Sequence, residues 1–189
     1  LAACGGNGDV TETTTAAPDA AVETDLDYIK NKGTLIVGIT DYAPMDYKEE
    51  GSDEWTGFDA EFARLAAEKL GVTAEFVEID WDNKFPELAS KSIDCIWNGM
   101  TITEEVKLNA DVSKAYVKNA QVVVMAADKI ADYATVESLA DLTFAVEAGS
   151  AGEEACKEAE LDYTAVLTQS NALMEVSSGA ADACVIDIT

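Results

Sequence analysis

The feature that most constrains this chain is an alternation, from Tyr28 onward, of short β-branched runs with amphipathic segments of helical period. Segment 34–40 (TLIVGIT) is bounded by glycine and turn residues, which predicts a buried strand. Phe58–Leu70 (FDAEFARLAAEKL) is the clearest helix. Phe58, Phe62, Leu65, Ala66 and Leu70 share one face of it, Asp59 is placed to cap its start, and Gly71 suits its stop. Strands over 73–79 and 93–97 flank a short helix over about 85–90, and Gln121–Met125 (QVVVM) is a further buried strand.

A second cycle follows, with helices over 136–142, 152–159 and 171–177 and strands over 143–146, 164–167 and 183–188. Such alternation predicts an α/β fold with mostly parallel sheets. Two cycles around one central strand predict two lobes with a cleft between them. Hydrophobic residues at 48% and charged residues at 26% supply enough apolar material for the cores. The last strand is expected at an exposed sheet edge without a covering helix, so a C-terminal continuation is expected.

The chain opens Leu1-Ala2-Ala3-Cys4, which resembles a bacterial lipobox, the motif whose cysteine receives a diacylglycerol. Cys4 is therefore the expected lipidation site, with 1–4 the remnant of a signal peptide. Residues 5–27, opening GGNGDVTETTTAAPD, have no apolar periodicity and are expected to form a flexible tether. No apolar run is long enough to span a membrane as a helix. With 37 Asp and Glu against 12 Lys and Arg, the net charge of −25 repels phosphate, so nucleic acid is excluded as a partner. That charge suits a well-solvated secreted surface, or, less simply, a taste for cationic ligands. The chain has no histidine and thus lacks the commonest general base and metal ligand. Cys4, Cys95, Cys156 and Cys184 show no metal-binding spacing, so neither a metal nor a cofactor is implied. Cys95 and Cys184 lie in apolar runs and are expected as buried thiols, a disulfide being left open.

Three segments in order carry a specific resemblance: Gly57-Phe58-Asp59 opening a helix; Asn98-Gly99-Met100-Thr101-Ile102-Thr103-Glu104-Glu105 after Asp94; and Ala148-Gly149-Ser150-Ala151-Gly152 with 181–187 (ADACVID). Together they resemble the family 3 bacterial extracellular solute-binding proteins, the polar amino-acid receptors of ABC importers. The resemblance runs over about 35–187. It implies a type II periplasmic-binding-protein fold, a Venus-flytrap of two α/β lobes closing on a small-molecule ligand. Lobe 1 would be 28–120, a first hinge strand 121–126, lobe 2 127–185 and the start of a second hinge 186–189. It further implies an amino-acid-like ligand, a membrane permease as partner, action as a monomer, and an extracytoplasmic, lipid-anchored location.

Site residues follow from the same resemblance. Tyr42 and Phe58 stand where family members place aromatics against the ligand, though Phe58 also fits the core face of its helix. Asn98, Gly99 and Thr101 match ligand-contacting positions, and a plain strand-end turn also accounts for Asn98 and Gly99. Gly149, Ser150 and Ala151 precede a helix whose free N–H groups suit a carboxylate. Asp187 matches the acid that receives the ligand's ammonium; pairing with backbone is its alternative. One departure stands out: Val106 occupies the place where the family usually carries a carboxylate-gripping arginine. Lys107 or helix N–H groups would then take over, or the ligand lacks an α-carboxylate.

Two other functions fit the same fold. One is a dehydratase acting on prephenate- or arogenate-like acids, with Asp187 or Glu147 as the general acid. The other is the sensing module of a larger receptor. Without histidine or a nucleophile–base pair, the binding protein is preferred over the enzyme.

Overall fold

In the computed structural model, which describes residues 23–189, helix α1 (Asp25–Lys32) opens the fold. Thr24 caps it: its hydroxyl accepts from the Asp27 N–H, and the Asp27 carboxylate accepts from the Thr24 N–H in return. Asp25 and Asp27 in the first turn and Lys30 and Lys32 in the last complement the helix dipole. This corrects the tether expected over 5–27, since 25–27 are already helical. The Thr-x-x-Asp pattern was the missed signal. The Cys4 motif and residues 5–22 lie outside the described residues.

The first lobe comprises β1 (Thr34–Ile39), β2 (Tyr47–Lys48), β3 (Trp55–Thr56), α2 (Phe58–Leu70), β4 (Thr73–Glu78), α3 (Lys84–Ser90), β5 (Cys95–Ile96) and α4 (Glu104–Asn109). Its sheet runs β4-β1-β5, all parallel, and β2 and β3 form a small antiparallel pair. Leu35, Val37 and Ile39 alternate onto one face of β1 and pack with Ile29, Trp55 and α2. Fully burying each such side chain contributes about 1.5–3 kcal/mol.

Helix α2 has the expected bounds but not the expected buried face. Ala60, Ala63 and Ala67 are the residues that disappear into the core, while Phe58 is 53% exposed and Leu65 more than half exposed. A stripe of alanines lets the helix axis sit close over the sheet, and the bulky side chains turn outward. Asp59 is also not the cap. Gly57 holds the N-cap position at φ 112°, where a Cβ would lie 2.3 Å from the Met45 carbonyl oxygen, and Asp59 is wholly buried in the first turn. Gly71 ends the helix as expected.

The second lobe comprises β6 (Gln121–Met125), β7 (Thr143–Glu147), α5 (Ala151–Glu158), β8 (Asp162–Val166), α6 (Gln169–Ser178) and β9 (Ala183–Asp187). Its sheet order is β6-β9-β7-β8; β6 is antiparallel to β9 and the other pairs are parallel. Period-two alternation feeds two cores. Phe144, Val146 and Val185 pack with Cys156 of α5 on one face, and Ala145 and Cys184 pack with Ala172 of α6 on the other.

Two expectations fail here. The helix predicted over 136–142 is a single 3₁₀ turn, Val136–Leu139. Leu139 and Leu142 both reach the core, and beyond the 3₁₀ turn the Leu142 N–H donates to the Leu139 carbonyl at 3.0 Å, which keeps the two side chains three positions apart in a turn. The last strand is not at an edge: β9 lies between β6 and β7, paired with β6 from Gln121↔Asp187 to Met125↔Ala183. Cys95, Cys156 and Cys184 are free thiols, and burial pushes them up to about 12, 11 and 11, which makes them inert at neutral pH.

Candidate functional site

The parallel strands deliver polar residues at their carboxyl ends, where open α/β sheets bind ligands. β1 leads to Thr40, β5 to Asn98 and Gly99, β7 to Glu147 and β9 to Asp187. Between the lobes the ends of β5, β7 and β9 line a cleft.

The first lobe lines it with Asn98, Gly99 and Thr101 from the segment after β5, with Val106 of α4, and with Trp81 and Lys84 where a 3₁₀ turn runs into α3. Asn98 is buried and bonded to Thr40 through both ends of its carboxamide. Thr101 Oγ1 accepts from Asn119 Nδ2 at 3.0 Å, fixing its hydroxyl toward the approach to β6.

The second lobe contributes Glu147, the segment Gly149, Ser150 and Ala151, then Gln169 and Asp187. Ser150 caps α5 by accepting from the Glu153 N–H at 3.1 Å. The Gly149 N–H already donates to Glu153 Oε2 at 2.7 Å, so part of this helix start is occupied by the protein's own carboxylate. Asp187 is held by carboxamides: Oδ1 accepts from Asn119 and Gln121, Oδ2 accepts from Gln169, and its N–H donates to Gln169 Oε1 at 2.9 Å. This replaces backbone pairing as the explanation of an acid in an apolar strand. Glu147 is 4% exposed, and burial, then the neighbouring Asp187 charge, push its carboxyl up to about 7 against the opposing pull of Gln169 and Lys84.

Seven expected residues thus converge on the cleft: Asn98, Gly99, Thr101, Gly149, Ser150, Ala151 and Asp187. Three do not line it. Tyr42 is buried behind Gly99, where a Cβ would sit 2.9 Å from Tyr42 Cε1, and its hydroxyl donates to the Thr189 carbonyl at 3.2 Å. Burial raises the Tyr42 phenol to about 12, with Thr189 pulling the other way. Phe58 stands outside the lining in an aromatic cluster, with ring centroids 6.3 Å from Tyr116 and 6.2 Å from Phe62. Lys107 donates to Glu104 Oε1 at 2.6 Å on the exposed side of α4. Val106 points inward instead, and one residue along a helix turns the side chain by about 100°.

Sequence reasoning missed Lys84, Trp81 and Gln169, and named Glu147 only for the enzymatic alternative. The available signals were a lysine in the WDNK turn and an acid closing the apolar run TFAVE.

A family model described as bacterial extracellular solute-binding proteins, family 3, matches residues 35–183. The arginine-binding extracellular protein ArtP of Bacillus subtilis is 34% identical over 164 residues, covering 82% of this chain and 62% of that relative. The L-cystine-binding protein TcyA of Bacillus subtilis is 31% identical over 185 residues, covering 97% of this chain and 62% of the relative. The chain therefore spans 62% of the length of each of these curated relatives. Among solved structures, the ancestral amino acid-binding protein AncCDT-1, a precursor of cyclohexadienyl dehydratase, superimposes with a TM-score of 0.82 at 36% identity, covering 87% of this chain and 74% of that one.

Proposed function

The chain belongs to the bacterial extracellular solute-binding proteins, family 3, and we propose that it captures an amino acid between its two lobes and hands it to a membrane permease of an ABC importer. The observation that carries this reading is Asp187, an acid at the end of an interior strand, oriented by three carboxamides and lining the cleft. A carboxylate so placed receives an ammonium group, and its fixed geometry costs the ligand no reorganisation. The main-chain groups of Asn98 and Gly99, the Thr101 hydroxyl and the Gly149-Ser150-Ala151 segment complete the polar wall. Val106, Met100 and Trp81 supply its apolar part.

In this reading β6 and the end of β9, at 121–126 and 186–189, are the two crossings between lobe 1 (28–120) and lobe 2 (127–185). Closure about them traps the solute. The lipobox-like Cys4 would tether the protein outside the membrane. Relatives that bind arginine and L-cystine support an amino-acid ligand.

The test is a binding screen by calorimetry and thermal unfolding against the amino acids, L-cystine and polyamines. An amino acid at 100-fold excess over its Kd stabilises the folded state by about 2.7 kcal/mol. A flat response across the amino acids overturns the proposal.

Glu147 favours a second, enzymatic reading, because a buried acid poised near 7 is suited to protonating a leaving group. Turnover of prephenate or arogenate, lost in Glu147→Gln, would establish it; we place binding first because the curated relatives described above are binding proteins.

A further inference from the structure

We infer that Lys84 is the group that grips the carboxylate of an amino-acid ligand, doing from α3 the work that Val106 of α4 has no charge to do. This assignment rests on the amino-acid reading above and names the half of the site that reading leaves open.

Lys84 is 4% exposed, and among the residues lining the cleft it is the one Lys or Arg. A buried ammonium is ordinarily paired with a carboxylate, because an unpaired charge in a low-dielectric site is costly. Among the described residues no carboxylate oxygen lies within 4.0 Å of Lys84 Nζ. Its recorded acceptors are two main-chain carbonyls, Trp81 at 3.2 Å and Gly149 at 2.8 Å. An ammonium carries three donors, so one is unspent. The Trp81 and Phe85 rings lie 4.9 Å from Nζ and shield it from water without neutralising it. Burial lowers its pKa, while the surrounding acids Glu105, Asp82, Glu147 and Glu153 act to keep it charged.

The competing anion site is weaker. The start of α5 already spends its Gly149 N–H on Glu153, and both Glu153 and Glu154 bring negative charge to its first turn. Val106 is 4% exposed and apolar, and Lys107 is engaged with Glu104 outside the cleft. An anion entering between the lobes therefore meets one buried cation that, among the described residues, has no carboxylate in direct contact. Its bond to Gly149 also couples anion binding to lobe contact, since Lys84 and Gly149 belong to different lobes.

The test measures affinity for L-arginine, L-glutamine and L-cystine, each beside its α-carboxamide, which keeps the shape and removes the negative charge. The wild-type protein, Lys84→Met and Lys84→Gln are compared by calorimetry, and ligand-free urea unfolding checks that each variant is folded. Whichever of the three acids binds, both variants should lose about 10- to 100-fold in affinity for it, the range of a charge-assisted hydrogen bond. Affinity for the matching carboxamide should hold within a few-fold, so the acid-to-amide ratio collapses toward one. Equal losses for acid and amide would overturn the assignment and leave Lys84 as an inter-lobe tie through Gly149. Unchanged affinities would overturn it too. A wild-type protein that binds amino-acid carboxamides as tightly as the acids refutes the clamp but not amino-acid capture, whereas one that binds no amino acid refutes both.

Discussion

Thr40 and Asn98 satisfy each other: the Thr40 N–H donates to Asn98 Oδ1 at 2.8 Å, and Asn98 Nδ2 donates to Thr40 Oγ1 at 2.7 Å. Both residues are buried, one just beyond β1 and one just beyond β5. The pair staples two strand ends into the floor of the cleft. The Asn98 side chain is thereby spent inside the protein, although Asn98 and Gly99 both line the cleft.

Asn98→Ala should lower stability by about 1–3 kcal/mol, the cost of leaving a buried amide donor and hydroxyl unmet. Urea unfolding of ligand-free protein measures this. A change below about 0.5 kcal/mol, the usual size for a surface substitution, would show that water replaces the staple.

Asp187→Asn should abolish the response to ammonium-bearing ligands while leaving the fold intact. The substitution keeps the volume but removes the charge, and it sets an amide donor against the carboxamides of Asn119, Gln121 and Gln169. Calorimetry on the variant settles the role: binding unchanged from wild type would remove Asp187 from the site.

Stability should fall as pH rises from about 4 to about 8. Asp46 is wholly buried, and neither of its carboxyl oxygens has a hydrogen-bond partner; Asp59 beside it bonds Tyr116 through Oδ1 at 2.9 Å but leaves Oδ2 unpartnered. Burial, then the Asp59 charge, push Asp46 up to about 8, and burial raises Asp59 as well. The folded protein thus holds protons that the unfolded chain releases near 4. The stabilisation is complete below the unfolded value and is lost as pH climbs through the folded one, at up to about 1.4 kcal/mol per pH unit per group. Urea midpoints at pH 5 and pH 7.5 measure the slope. Asp46→Asn should flatten it, and an equally steep slope in that variant would locate the effect elsewhere.

Gly149→Ala should weaken ligand binding more than it weakens the fold. At φ 69° an added Cβ would lie 2.9 Å from Asp82 Cα and 3.3 Å from Lys84 Nζ, so the methyl group wedges between the lobes. The left-handed backbone costs about 1–2 kcal/mol with any side chain. Affinity should drop well beyond that, and small-angle scattering should show a more open particle with ligand present. Normal closure would mean that the Asp82 turn yields.

Much of the fold was legible because its signals are local. Gln121–Met125 and Phe58–Leu70 were bounded correctly from β-branched runs, helical period and the flanking glycines. Seven of the expected residues come to line the cleft because strand ends in this architecture converge. The failures share a cause: they depended on what each segment met. The phenylalanines of α2 share a helical face with Leu65 and read as core, but the sheet accepted the alanines. The edge expected at β9 vanished because β6, some sixty positions earlier, pairs along it.

Patterns along the chain were enough to give the alternation of strands and helices, the two cycles, the family and the placing of Asn98, Thr101, Ser150 and Asp187 near strand and helix ends. Which charges face the cleft depended instead on how distant segments pack. Lys107 was the expected cation because it neighbours Val106 in the chain, yet helical rotation carries it to solvent. Lys84 arrives from a separate turn and meets Gly149, 65 residues away. Backbone periodicity is set by neighbours in sequence, whereas burial and pairing of a charge are set by neighbours in space.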